Sequence, residues 1–159
     1  MKSLRRYNIK DTYYFLTIIT YNREKLLLVD PDLFWVSWQE IELNAWVILP
    51  DHFHALIYVA DSDISQMVHR FKIKYSRLYR DKYRPGRVWQ NRFWDHVVRD
   101  QTDLNQHLDY IHYNPVRHGL TDDPFTYQYS SLQSWFQKGY YTRDWGNKSE
   151  LMFEGEYGE

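Results

Sequence analysis

The chain has 159 residues, the size of one ordinary domain, and its 43% hydrophobic and 26% charged residues specify a packed core. It has no cysteine, which excludes disulfides and thiolate metal sites, and no apolar run of about 18 residues, so no membrane-spanning helix is expected. The formal net charge of −1 says nothing about partners, but its distribution does: from Val68 to Arg99 there are ten Lys/Arg and two Asp, which predicts one electropositive face.

Residues 1–11 read as a polar, basic arm in which Arg5 and Arg6 either touch a phosphate backbone or only solubilise an end. No continuous apolar segment follows these basic residues, so no signal peptide is expected and the cytoplasm is the default location. Tyr13–Tyr21, aromatic and β-branched, reads as a buried strand. Asp30 is placed to cap a short helix from Pro31 to about Gln39, with Phe34, Trp35 and Trp38 as its apolar stripe. Ile41–Leu49 reads as a strand with Asn44 as an irregularity. Pro50-Asp51 turns it into a partner strand, His52–Val59.

Asp61-Ser62-Asp63 offers a cap for the longest helix, Ile64 to about Tyr83. Its apolar positions, Ile64, Met67, Val68, Phe71, Tyr75, Leu78 and Tyr79, keep helical period. Arg70, Lys74, Arg77 and Arg80 populate its other faces with almost no neighbouring acid, so phosphate contact competes with a merely solvated face. Arg84-Pro85-Gly86 stops the helix. Val88–Val98 reads as a strand with a polar break at Gln90-Asn91, and Thr102 as the N-cap of a helix carrying Leu104, Leu108 and Ile111. Pro115 interrupts that helix and Gly119 ends it. Ser130-Ser131 is placed to cap a short helix, Leu132–Phe136. Residues 137–159 read as a loop and a poorly ordered acidic tail, with Trp145 packing back. The order is βαββαβ followed by one more helix, an α+β, ferredoxin-like four-stranded antiparallel sheet.

Two side chains stand out on the second hairpin strand. His52 and His54, two apart, share one face, while Phe53 and Ala55 point into a core. Such a pair either lines a quiet strand face or shares a divalent metal. On the last helix Tyr110 and Asn114, four apart, also share a face. Asn114 offers a neutral oxygen as third ligand, although Asn-Pro is also a common helix-ending pair. Tyr110 is a candidate nucleophile, with Tyr113 as its rival. A phenol has a pKa near about 10, and a nearby cation favours the phenolate. Its attack on a metal-bound phosphodiester would leave a 5′-phosphotyrosine and a free 3′-hydroxyl, which can rejoin in reverse. Mg²⁺ or Mn²⁺ fits this donor set, Mn²⁺ being more at ease with imidazole.

The segments LPDHFHALI (49–57), VWQNRFWDHVVR (88–99) and YIHYNPVRHGL (110–120), in this order and at these distances, resemble the IS200-like transposases, and most closely the REP-associated tyrosine transposases among the HUH single-strand nucleases. The likeness covers about residues 12–136, the expected nuclease domain, between an arm at 1–11 and a tail at 137–159. It implies the same βαββαβ core, His52 and His54 as metal ligands with Asn114 as the third, and Tyr110 rather than Tyr113 as nucleophile. It also implies cleavage and rejoining of single-stranded DNA near hairpins or REP-like palindromes, by a monomer more than a dimer. Arg5, Arg6, Arg23, Arg70, Lys74, Arg77, Arg80, Arg87 and Arg92 are the expected DNA-binding residues, and Trp89, Phe93 and Trp94 either stack on bases or belong to the core. The alternative is a decayed or domesticated protein that binds structured single strands without cutting.

Overall fold

The computed structural model describes residues 9–147 and 151–159. Its elements are β1 (Thr12–Ile19), α1 (Pro31–Ser37), β2 (Leu43–Ile48), β3 (His52–Val59), α2 (Ile64–Lys82), β4 (Trp94–Val97), α3 (Gln101–Arg117) and α4 (Leu132–Gln137). The strands form one antiparallel sheet in the order β2-β3-β1-β4. This is the expected ferredoxin-like βαββαβ arrangement, followed by the tyrosine-bearing helix α3.

Strand alternation divides the core in two. Tyr14, Leu16 and Ile18 of β1 and Phe53, Ala55 and Ile57 of β3 face α1 and α2, where Phe34, Phe71 and Tyr75 meet them. Phe15, Val47 and Leu56 face the other way, against Leu108, Tyr110 and Ile111 of α3. The sheet is therefore buried on both faces, and α3 lies over the face that carries His52 and His54. No described helix is long and apolar enough to cross a membrane.

Several boundaries depart from the sequence reading. Asp30 makes no side-chain cap. It binds Lys82 Nζ at 2.5 Å and Tyr83 Oη at 2.9 Å, tying the start of α1 to the end of α2. The strand expected over 88–98 shrinks to Trp94–Val97. Lys72 Nζ takes the Gln90 and Arg92 carbonyls at 2.8 and 3.3 Å, so they are lost to a ladder, and Trp89 keeps only an isolated bridge to Thr20. The cap of α3 is Asp100, which accepts from Asp103 N at 2.8 Å, not Thr102. Pro115 does not interrupt α3, which runs on to Arg117. Proline removes one N–H, a small loss so near the end, and the His118, Gly119 and Leu120 amides close the last turn on Asn114, Val116 and Pro115. The irregularity at Asn44 is a shift of the β2–β3 register, with Asn44 Oδ1 accepting from Tyr58 N at 2.9 Å.

The largest difference is at the far end. Segment 151–159, read as loose tail, packs against α3: Tyr157 stacks on Tyr110 at 3.8 Å and Phe153 meets the same ring edge-on at 5.3 Å. Aromatic burial of this kind outweighs the cost of ordering a short acidic segment. Trp145 packs against Tyr113 and Tyr141 as expected.

Candidate active site

His52 and His54 lie on a central strand, 1% and 0% exposed, beneath α3. Each uses its Nδ1 on a fixed partner. His52 Nδ1 donates to Asp51 Oδ1 at 2.6 Å. Thr17 Oγ1 gives its proton to the Tyr157 carbonyl at 2.5 Å, so it accepts from His54 Nδ1 at 2.7 Å. In their neutral forms both rings are thereby Nδ1–H tautomers, with Nε2 turned toward α3 as the free ligand atom. Burial pushes His54 down to about 4, so it is neutral. Burial also pulls on His52, but the Asp51 and Glu159 carboxylates outweigh it and raise its pKa.

From α3, Tyr110 and Asn114 reach the same place, 1% and 0% exposed. The Tyr110 and His54 rings are 5.2 Å apart. Tyr113, the rival tyrosine, turns to Trp145 and Phe153 instead. The centre of the cluster holds the Glu159 carboxylate. Its Oε1 accepts from Tyr110 Oη at 2.6 Å and Asn114 Nδ2 at 3.1 Å, and lies 2.5 Å from His54 Nε2 and 3.4 Å from His52 Nε2. Its Oε2 accepts from Arg117 Nη1 at 2.7 Å and His118 Nε2 at 2.8 Å. Burial opposes its ionisation, and hydrogen bonding, led by His118, overcomes that and holds it far below the usual carboxylate range. Burial, reinforced by the Glu159 carboxylate, raises the Tyr110 phenol well above its usual value. With Glu159 in place the candidate nucleophile is therefore a protonated hydrogen-bond donor. Gly158 makes the placement feasible: its φ is +80°, and a Cβ there would lie 2.2 Å from Trp94 Cβ.

The donors around this point fit a divalent ion. His52 Nε2 and Asn114 Oδ1 are buried and have no hydrogen-bond partner. The lone pair of His54 Nε2 faces a carboxylate oxygen rather than a donor, an arrangement that a cation relieves. The candidate ligand atoms of His52, His54 and Glu159 lie within 4.8 Å of one another. A second grouping, His96, Asp103 and His107, is equally compact. There the carboxylate is already used: Asp103 Oδ2 accepts from His96 Nε2 at 2.8 Å, Arg99 N at 2.9 Å and Arg99 Nε at 3.3 Å. It braces the start of α3.

The expected DNA-binding residues scatter. Arg5 and Arg6 lie outside the described residues. Acids on α1 and its flanks, not visible as neighbours in the sequence, neutralise part of the basic helix. Arg70 makes a two-point ion pair with Glu40, each contact 2.8 Å, and Lys82 pairs with Asp30, whereas Lys74 donates to the neutral Gln39 Oε1 at 2.7 Å and keeps its charge. Arg23 lies 3.7 Å from Asp51. Arg77, Arg80 and Arg87 instead gather along one groove of about 510 Å³ between α2 and residues 87–91, with His69 and Lys72. Arg80 and Arg87 are held there by the Gly86 and Trp89 carbonyls at 2.8 and 3.1 Å, and Arg87 covers the Tyr21 ring at 4.5 Å. Arg92 is off this groove, beside Phe93 and Gly158. Trp89 and Phe93 are buried, and Trp94 lies beneath Gly158.

Sequence reasoning missed five participants. Thr17 looked like any strand residue, and Asp51 read as structural without its hold on His52. Arg117 and His118 follow Asn114 by three and four positions, so helical spacing alone places them on its face. Nothing in the sequence marks Glu159.

The family model described as Transposase IS200 like matches residues 34–114. An Escherichia coli K12 protein named REP-associated tyrosine transposase is 32% identical, over 98% of each chain. A Haemophilus influenzae protein carried provisionally under the same name is 34% identical, over 98% of this chain and 99% of that one. A solved structure of a REP-associated tyrosine transposase bound to a REP hairpin is similar over 100% of this chain and 98% of the other, with a TM-score of 0.86 at 28% identity.

Proposed function

This chain belongs to the IS200-like transposases, and among them to the REP-associated tyrosine transposases; on that premise we propose that it is a metal-dependent endonuclease and strand-transferase for single-stranded DNA that folds into hairpins. One observation carries the reading: the Nε2 atoms of His52 and His54, the Tyr110 hydroxyl and the Asn114 carboxamide, through its Nδ2, converge on the single point that Glu159 Oε1 now holds, and the Asn114 Oδ1 is left buried without a hydrogen-bond partner.

Tyr110 Oη attacks phosphorus, and its O–P bond forms as the P–O3′ bond breaks. The phenolic proton passes to solvent, the departing 3′-oxygen takes one up, and the 5′-phosphate stays on Tyr110. A second 3′-hydroxyl reverses the step and joins a new strand. His52, His54 and Asn114 would hold Mg²⁺ or Mn²⁺, with two imidazoles favouring Mn²⁺, and the ion would polarise the phosphate and offset its developing charge. Asp51 and Thr17 keep the imidazoles in the ligating tautomer. The groove bearing Arg77, Arg80 and Arg87 supplies phosphate contacts for the hairpin. Every member of the site comes from one chain, which supports a monomer, and action on DNA supports a cytoplasmic location.

A second reading, a binder that does not cut, is favoured by the raised phenol and the filled site. A gel assay separates the two, using Mn²⁺ and single-stranded hairpins from the DNA flanking the gene. A covalent protein–DNA product that disappears in Tyr110→Phe supports the nuclease; hairpin binding without any such product supports the binder.

A further inference from the structure

Resting on the nuclease reading, the geometry points to Arg117 and His118 as the side chains that grip the scissile phosphate on the side away from the metal ligands. A carboxylate and a phosphodiester are both monoanions with two terminal oxygens, and the Glu159 carboxylate marks where such a group sits. One oxygen meets Tyr110, Asn114 and the imidazoles, and so takes up the place of the ion together with the phosphate oxygen it would bind. Among the described residues the other meets Arg117 Nη1 at 2.7 Å and His118 Nε2 at 2.8 Å. A phosphate in the same seat would turn its second non-bridging oxygen to that pair.

Arg117 also reaches the nucleophile. The same Nη1 lies 3.2 Å from Tyr110 Oη, and the guanidinium carbon is 5.3 Å from the centre of the tyrosine ring. One cation thus contacts the attacking oxygen and the phosphate oxygen together, where charge moves during attack. Positions 110, 114, 117 and 118 fall on one face of α3 and its first residue beyond, so a single helix carries the nucleophile, a candidate metal ligand and the clamp. His118 packs edge-on against His52 at 5.0 Å, which fixes its ring. A cation at a helix C-terminus can serve the helix dipole alone. Arg117 instead folds back one to two turns toward Tyr110, away from the last carbonyls.

The test uses the full chain carrying Glu159→Ala, because Arg117 binds that carboxylate too and its loss would otherwise free the site while weakening the grip. With Mn²⁺ and the flanking-DNA hairpin, adding Arg117→Gln should slow covalent adduct formation about a hundredfold, and His118→Gln about tenfold. Arg117→Lys should recover part of the loss, since it restores charge without the fork. The hairpin Kd should change less than about threefold, one contact among many. With a neutral methylphosphonate at the mapped cleavage position, the Arg117→Gln penalty should fall below about tenfold, a change that a purely structural role would not produce. Adduct formation at an unchanged rate, or slowed only in proportion to weaker binding, overturns the clamp while leaving the nuclease reading intact. Absence of any Tyr110-dependent adduct in both the wild type and Glu159→Ala overturns both.

Discussion

Asp51 and Thr17 touch neither the Tyr110 hydroxyl nor Asn114, yet they decide what the imidazoles can do. A histidine presents a lone pair at Nε2 only if its proton is kept at Nδ1, and these two oxygens keep it there. Asp51→Ala should therefore weaken Mn²⁺ binding about 10- to 100-fold while leaving hairpin binding nearly unchanged, as calorimetry and a shift assay would read. His52→Ala removes one of the proposed ligands, and cleavage should fall by about two orders of magnitude or more. Equal cleavage by that variant in the presence of chelator would end the metal assignment. Tyr110→Phe should bind hairpin and form no adduct; an adduct in that variant would make another residue the nucleophile.

At the scale of elements, segment 151–159 sets the state of the site. A phosphodiester and the Glu159 carboxylate cannot share one seat, so the segment must withdraw for DNA to enter. Gly158→Ala should unseat it without removing a polar group, because that position has φ +80° and no room beside Trp94. Faster adduct formation and a lower melting temperature are expected together, since Tyr157 and Phe153 lose their packing on Tyr110. An unchanged rate would mean that the segment does not cover the site in solution. The start of α3 depends on Asp103. Burial alone would raise its carboxyl, but the Arg99 N–H, His96 and the Arg99 guanidinium hold it well below the usual range. A depressed folded pKa contributes stability above the unfolded value near about 4 and loses it as pH falls toward the lower folded value. Asp103→Asn should cost roughly 1–3 kcal/mol at neutral pH, and flatten acid unfolding below about pH 4.

For the whole molecule, charge is sorted by the fold rather than by the chain. Arg70 and Lys82 are spent on Glu40 and Asp30, whereas Arg77, Arg80 and Arg87 share an open groove. Arg77→Gln should weaken hairpin binding and reduce the salt slope by about one, measured from 50 to 200 mM salt. Arg70→Gln should leave the slope unchanged and act on stability alone. A slope unaffected by Arg77→Gln would move the DNA to another face.

Local pattern settled the strands, the helices and the faces they present, because alternation and helical period depend only on neighbours in the chain. The pairing of His52 with His54, and of Tyr110 with Asn114, was legible for the same reason, and so was the family through three ordered motifs. The strand ending at Val98, the cap at Asp30 and the break at Pro115 were misread because distant partners such as Lys72 and Lys82, or the closing amides of the last turn, decided them. Helical spacing could offer Arg117 and His118 but could not aim them. Only the tertiary structure put Glu159 among six side chains from the sheet and α3, since a contact spanning 105 residues, from His54 to Glu159, leaves no periodic trace in a sequence.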